Sequence, residues 1–320
     1  MRRQPTAAIL TEAGAAVGMG HLTRCVALYD ALESLGHVCK LTVAGEAPAH
    51  IVGTRSVTLF DWRGPDEARA TTVDADVAVI DSYVADIDVY RTVAETASAA
   101  VYLDDTARLP YPKGIVVNGN PEATSLGFTA GPETTLLLGV EYQLLRSEFT
   151  DASHHEVNPS VTRILVISGG SDAGNVRDAL ATIASSACQN AIVDVVRESR
   201  TASELRDAML AADIALTAAG QTIYELAATG TPTIAVCVAD NQIAQARAFE
   251  RAGALAYAGE WGDRGVDERV AFLLGTLDPL DTREAMSLAG RALVDGTGAR
   301  LVAKTCIEIA AMKTGDKGGA

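Results

Sequence analysis

The sequence lacks any apolar run long enough to cross a membrane. Its first residues, Met1 to Pro5, lead into an apolar stretch that is too short for the core of a signal peptide. It also lacks the C-x-x-C spacing of metal or redox sites, because its five cysteines are scattered and odd in number. These absences predict a cytoplasmic protein with buried, reduced thiols and no membrane insertion.

Positive charge is scarce as well. The chain has 26 Lys and Arg against 41 Asp and Glu, a formal net charge of -15. A nucleic-acid partner is excluded on this ground, because neutralising a phosphate backbone requires clustered basic residues. A small anionic ligand can still bind through local backbone dipoles and a few placed side chains. The 320 residues are 48% hydrophobic and long enough for two domains.

Short apolar runs alternate with helical patterns through the first half of the chain. The runs are continuous rather than alternating, which is typical of a parallel sheet buried on both faces. The predicted strands are 7–10, 38–43, 77–80, 100–103 and 114–117, with a weaker one at 136–138, and the predicted helices are 23–35 and 87–97.

A polar stretch over 150–160, ending in Pro159-Ser160, predicts a linker in which His154 and His155 are solvated. The alternation of strands and helices then resumes. The predicted strands are 163–167, 191–196, 214–217 and 233–238, and the predicted helices are 175–186, 202–212, 222–229 and 241–252. We therefore predict an α/β protein of two domains with parallel sheets, joined by a linker that puts a cleft between the carboxyl ends of the two sheets. The expected domains are 1–152 and 160–296, with a helix over 297–313 that returns to the first.

The most informative motif is the glycine-flanked histidine in Gly18-Met19-Gly20-His21-Leu22-Thr23-Arg24. It lies between a strand and a helix, where free N–H groups and the helix dipole favour a phosphate. It is not the G-x-G-x-x-G fingerprint, because Arg24 stands where the third glycine would be. A titratable imidazole at this point suggests phosphate binding with proton transfer, although a structural histidine would fit the same spacing.

Polar clusters follow several predicted strands. They are Asp81-Ser82-Tyr83, Asp104-Asp105, Asn118 with Asn120, Gly169-Gly170-Ser171-Asp172, Gly220-Gln221-Thr222 with Glu225, and Asp240-Asn241-Gln242. Ligand contact and turn formation or capping fit each cluster equally well. Glu225 fits a ribose acceptor or a capping box with Thr222. The pairs Asp74/Asp76 and Asp86/Asp88 are interpreted as turn and capping residues, so no metal and no cofactor are expected.

Six of these motifs, all but Asn118 with Asn120, occur together with Leu144-Leu145-Arg146-x-Glu148-Phe149 in the order found in the sugar-nucleotide hydrolases of pseudaminic acid biosynthesis. The chain resembles that family, which includes spore-coat polysaccharide proteins, over about residues 7–304. The resemblance implies two Rossmann-like domains facing across a cleft, the GT-B-like glycosyltransferase fold. It also implies hydrolysis of a UDP-linked diacetamido-trideoxy-altrose to free sugar and UDP. One departure is the short connection 197–202, where relatives carry a further strand and helix, and this puts the nucleotide identity in doubt.

The resemblance also implies site roles. His21 matches the catalytic histidine that activates water, and Glu225 matches the ribose-binding glutamate. Substrate contacts are expected from Gly18, Gly20, Arg24, Asp81, Tyr83, Arg146, Ser171, Asn241 and Gln242, and nucleotide contacts from Gly169, Gly170, Gly220, Gln221, Thr222 and Glu225. A glycosyltransferase with a UDP-sugar donor and a non-catalytic sugar-nucleotide binder remain the alternative hypotheses.

Overall fold

A computed structural model describes residues 3–14, 17–150, 155–168 and 175–315. The chain divides into two compact units, residues 1–147 with 297–320 and residues 148–296. Each unit contains one sheet in which all the paired strands are parallel. None of the helices in the described ranges combines the length and apolarity that a bilayer crossing requires.

The first unit alternates strands and helices. Its elements are β1 Thr6–Ala13, α1 Gly20–Ser34, β2 Val38–Gly45, α2 Ala49–Val52, β3 Val57–Leu59, α3 Pro65–Thr72, β4 Val77–Asp81, α4 Ile87–Thr96, β5 Ala99–Leu103, β6 Gly114–Asn118 and β7 Thr134–Leu138. The strand order is β3-β2-β1-β4-β5-β6-β7. Strands β4, β5 and β6 are buried along their whole length, as expected for a sheet covered on both faces.

Helix α1 explains how the first unit builds its core. Its apolar residues recur at helical spacing, and Leu22, Cys25 and Leu32 are fully buried against the sheet. The last helix of the chain, Gly298–Gly315, belongs to this unit and packs against α1 through Val302 and Cys306. This packing holds the N-terminus of α1, where His21 lies, at one edge of the sheet.

The second unit is a smaller sheet of the same type. Its elements are β8 Arg163–Ile167, α5 Val176–Ala187, β9 Ile192–Val195, α6 Ala202–Leu210, β10 Ile214–Ala218, α7 Thr222–Thr229, β11 Thr233–Cys237, α8 Ile243–Arg251, β12 Ala256–Glu260, α9 Val266–Thr276 and α10 Leu280–Leu293, and the helix Gly298–Gly315 of the first unit is accordingly α11.

The strand order of the second sheet, β12-β11-β10-β8-β9, has one position fewer than the doubly wound pattern of six strands. The chain runs from β9 through α6 directly to β10, so β9 is an edge strand. Ile192 on this edge is 61% exposed. The short connection noted in the sequence therefore corresponds to a sheet without a third strand beside β9.

The prediction of a solvated His155 is wrong. The side chain is only 5% exposed, and its Nε2 lies 2.6 Å from the carbonyl oxygen of Ala212. Burial lowers the pKa of His155, which favours the neutral ring that donates to this carbonyl. The polar stretch misled the prediction because a buried carbonyl before β10 requires a donor, and His155 supplies it. His154 lies outside the described residues.

Candidate functional site

Three adjacent strands bring the polar clusters of the first unit together. In the sheet β4 lies between β1 and β5, with Thr11 paired to Asp81 and Asp81 paired to Leu103. Because the strands are parallel, their carboxyl ends meet at one edge, where α1 also begins. Glu12, Asp81 and Asp105 therefore surround the start of the helix that carries His21.

His21 and Asp81 form a buried pair. The Nδ1 atom of His21 lies 2.6 Å from Oδ1 of Asp81, and the two side chains are 4% and 0% exposed. A carboxylate can only accept, so the Nδ1 atom carries the hydrogen of this bond. Within the described part of the chain, both polar contacts of the ring are at Nδ1. When the ring carries a single hydrogen, Nε2 is therefore the proton acceptor, as a general base requires.

Arg24 holds the carboxylate that orients His21. Its Nε and one terminal nitrogen donate to the two oxygens of Asp81 at 2.6 Å each, and the other terminal nitrogen donates to Asp105 at 2.7 Å. Burial would raise the pKa of Asp81, but the charge of Arg24, the charge of His21 whenever its ring is protonated, and the hydrogen bonds from both side chains hold it well below its usual range. Asp81 is therefore ionised at neutral pH.

The guanidinium of Arg24 is itself fixed as a cation. Burial would lower the pKa of Arg24, but the carboxylates of Asp105 and Asp81 raise it well above its usual value. The nitrogen atoms of the Arg24 side chain therefore donate to the carboxylates of Asp81 and Asp105.

Tyr83 contacts both the imidazole of His21 and the carboxylate of Asp105. Its aromatic ring packs edge-on against His21, with centroids 4.2 Å apart and planes at 80°. Its hydroxyl donates to Asp105 at 2.9 Å. Tyr83 is 36% exposed, whereas His21 beneath it is buried. The accessible polar groups close to the imidazole thus include the phenol of Tyr83 and the carboxylate of Asp105, which is 35% exposed.

The glycines before His21 leave the backbone open. Gly18 has a φ of +76° and pairs with Gly14, so a side chain there would be strained. Within the described residues, no atom lies within 4 Å of the point that a Cβ would occupy at Gly18 or Gly20. A ligand can therefore approach this backbone closely, as a phosphate-binding turn requires.

Two partners in this site were not recognised as site residues from the sequence. The sequence places Asp105 only in a strand-end pair, and Glu12 lies beyond the end of the predicted strand 7–10. The predicted strand 7–10 is observed as Thr6–Ala13, so Glu12 belongs to it. The sequence signal that could have identified Glu12 is a single carboxylate directly after an apolar run. In the structure this side chain is 1% exposed, and a buried carboxylate is rare unless it is paired.

The polar residues of the second unit gather around the start of α7. Helix α7 begins at Thr222, and Gln221 is its N-cap without a side-chain capping bond. The alternative of a capping box from Thr222 is therefore not realised, because Thr222 is already helical. Glu225 is 4% exposed and Thr222 is 8% exposed. Gln242 lies close to Gly220: a Cβ added to Gly220 would be 3.8 Å from Nε2 of Gln242.

The remaining predicted residues are more dispersed. Gln242 accepts the N–H of Val238 at 2.9 Å, whereas Asn241 is exposed in the short 3-10 helix Asp240–Gln242. Arg146 is buried, one residue before the boundary between the two units at Ser147. Gly169, Gly170 and Ser171 lie outside the described residues. Among the residues that are described, no three His, Cys, Asp or Glu side chains are grouped to hold a metal ion.

Comparisons with known proteins agree with the resemblance inferred from the motifs. No protein-family model matches the chain. A curated protein of Helicobacter pylori (strain ATCC 700392 / 26695) is 23% identical over 260 residues, 77% of this chain. It is named "Pseudaminic acid cytidylyltransferase and UDP-2,4-diacetamido-2,4,6-trideoxy-beta-L-altropyranose hydrolase". The chain spans about half the length of this relative, since the match covers 47% of it.

Solved structures with the same fold match almost the whole chain. Acinetobacter baumannii MurG has a TM-score of 0.65 at 15% identity, covering 95% of this chain and 100% of its own. The spinosyn forosaminyltransferase SpnP has a TM-score of 0.68 at 13% identity, covering 96% and 100%. LpCGTa, solved in complex with UDP, has a TM-score of 0.63 at 14% identity, covering 96% and 99%. The predicted class is confirmed: the chain is an α/β protein of the GT-B type with two Rossmann-like domains.

Proposed function

We propose that this chain is an enzyme that hydrolyses a nucleotide-activated amino sugar to the free sugar and UDP. The observation that carries the proposal is the buried pair of His21 and Asp81, in which Nδ1 is engaged and Nε2 is left to accept a proton. The name of the curated relative, which includes a UDP-sugar hydrolase, supports the same chemistry. It also supports a diacetamido-trideoxy-hexose as the sugar.

The proposed reaction is a single displacement at the anomeric carbon. Nε2 of His21 removes a proton from water as the water oxygen attacks that carbon. The bond from the anomeric carbon to the diphosphate oxygen breaks, and UDP leaves with the electron pair. The transition state is oxocarbenium-like and the anomeric centre inverts. The imidazolium formed in this step is stabilised by the carboxylate of Asp81.

Arg24 and Asp81 are assigned positioning roles in this proposal. Asp81 fixes the tautomer and orientation of His21, and Arg24 keeps Asp81 ionised through two hydrogen bonds of 2.6 Å. Gly18 and Gly20 supply open backbone, and Tyr83 supplies a polar surface beside the imidazole.

The nucleotide is assigned to residues of the second unit. The start of α7, with Gly220, Gln221 and Thr222, offers helix N–H groups to a diphosphate. The carboxylate of Glu225 is proposed to accept hydrogen bonds from the ribose hydroxyls. Gln242, close to Gly220, and the neighbouring Asn241 are the other polar candidates of this unit.

The proposal is tested by incubating the protein with a panel of UDP-sugars and measuring UDP without any acceptor. We expect UDP release by the wild type and by an Asp30→Asn control, whose carboxylate pairs with Arg55 in the same unit. We expect His21→Asn to lower it by about a hundredfold or more. Release that depends on an added sugar or lipid acceptor would instead identify a glycosyltransferase, and binding without turnover would identify a non-catalytic binder.

A further inference from the structure

Glu12 is a buried carboxylate that accepts hydrogen bonds from the loop after β4, at Ser82 and Tyr83. It is 1% exposed at the carboxyl end of β1. Its Oε1 accepts the N–H of Tyr83 at 2.7 Å, and its Oε2 accepts the hydroxyl of Ser82 at 3.0 Å. A buried charge is costly unless it is well bonded, so a carboxylate at this position calls for a specific role.

The loop that Glu12 holds is fixed from two sides. The hydroxyl of Ser82 donates to Glu12 and accepts the N–H groups of Val84 and Ala85 at 3.0 and 2.9 Å. On the other side, a terminal nitrogen of Arg108 donates to the carbonyl of Ala85 at 2.8 Å. The backbone position of Tyr83 is therefore set by hydrogen bonds that do not involve its own side chain.

Tyr83 carries this constraint to the imidazole. Its ring packs against His21 with the centroids 4.2 Å apart, and its hydroxyl donates to Asp105 at 2.9 Å. Burial and the nearby charge of Asp105 raise the pKa of Tyr83, so its phenol remains a donor at neutral pH. A ring held at its backbone and at its hydroxyl leaves the imidazole little freedom to rotate.

We propose that Glu12 is a positioning residue, which acts through the backbone of Tyr83 to hold its ring against His21. The expected effect on turnover rests on the proposed function. Glu12 itself accepts hydrogen bonds from Ser82 and Tyr83 of the loop, and neither bond is to the imidazole. Loss of Glu12 should therefore disturb the imidazole only as far as Tyr83 is displaced.

The geometric part is tested by NMR of the free full-length protein with carbon-13 in the histidine rings. The chain has five histidines, and His21→Asn assigns the His21 signal. We expect Glu12→Ala to move the ring-proton resonance of His21 in the same direction as Tyr83→Ala, because Tyr83→Ala removes the tyrosine ring current and Glu12→Ala weakens it by displacing the ring. The control Asp76→Asn should leave it in place, since Asp76 also accepts a backbone N–H, that of Thr6 at 2.7 Å, at the other end of the same sheet.

An unmoved His21 resonance in Glu12→Ala would overturn the proposal. If Glu12→Ala does not fold, Ser82→Ala replaces it. Ser82→Ala removes one of the two bonds to Glu12, and a smaller displacement in the same direction is then expected. No displacement in folded Ser82→Ala would equally contradict the role.

The kinetic part uses a UDP-sugar that the wild type cleaves. We expect Glu12→Ala to lower kcat about tenfold with KM within about twofold, the mark of a displaced group rather than weaker binding. The double variant Glu12→Ala/Tyr83→Ala should match Tyr83→Ala, and additive losses would show that Glu12 acts by another route. Absence of any UDP-sugar cleavage by the wild type would refute the proposed function, while the NMR result would still decide the role of Glu12.

Discussion

Replacing Asp81 by Asn should impair both the stability and the proposed chemistry of the first unit. The carboxylate is 0% exposed and accepts from His21 Nδ1, Arg24 Nε and an Arg24 terminal nitrogen, each at 2.6 Å. Removing one partner of a buried ion pair costs about 3–5 kcal/mol, because the remaining charge is left uncompensated. We expect a loss of this size at neutral pH.

The pH dependence of this loss has a defined sign. The pKa of Asp81 is lower in the folded chain than in the unfolded chain, so its contribution is fully present above the unfolded pKa. The difference between wild type and Asp81→Asn should be constant from neutral pH down to about pH 4 and then shrink as the pH falls further. A difference that grew in acid would refute the assignment of an ionised Asp81.

Tryptophan fluorescence can follow the first unit alone. The chain has two tryptophans, and Trp62 of the first unit is 0% exposed with its indole N–H on the carbonyl of Thr11 at 2.8 Å. In a Trp261→Phe background, urea unfolding read from Trp62 reports this unit. The matched control Asp30→Asn breaks a partly exposed pair with Arg55 and should cost about 1 kcal/mol or less.

The same substitution should lower kcat by about 10³–10⁴-fold. An asparagine amide at position 81 can donate to Nδ1 of His21, which moves the ring hydrogen to Nε2 and removes the base. Near-normal turnover in a folded Asp81→Asn would refute the orientation argument.

The remaining predictions concern His21 and Glu225. We expect His21→Asn to lower turnover by about a hundredfold or more while UDP affinity stays within several-fold, because the imidazole acts on water rather than on the nucleotide; calorimetry with UDP and a UDP-release assay separate the two. We expect Glu225→Gln to weaken UDP binding by about 1–2 kcal/mol, about 5- to 30-fold, through loss of a charged acceptor for the ribose. An unchanged dissociation constant for Glu225→Gln would refute the ribose role.

The sequence was sufficient for the central strands of both sheets. Strand β4 is a continuous apolar run, and the predicted 77–80 is observed as Val77–Asp81. Strands β3 and β12 were not predicted, because β3 has three residues and is mostly exposed, and β12 carries a glycine and is partly exposed. Their pairing with neighbouring strands, rather than local propensity, establishes them.

The sequence predicted some residues of the candidate site but not the contacts between them. The spacing around His21 indicated proton transfer, and the strand-end position of Asp81 indicated a polar edge. Which carboxylate meets which donor depends on the order β1-β4-β5, and that order is a tertiary property. The role of Asp105 as partner of both Arg24 and Tyr83, and that of Glu12 as support of the loop, follow from this adjacency.

Reaction in oxygen-18 water tests the central claim most directly. With a UDP-sugar that the wild type cleaves, and with a metal chelator present, the released sugar should carry the label and the UDP should not. Unlabelled UDP means that water attacks the anomeric carbon and that the bond from this carbon to the diphosphate oxygen breaks. Label in the phosphate of UDP would mean attack at phosphorus and would contradict the account, and activity lost in chelator and restored by magnesium would contradict a reaction carried by His21 without a metal ion.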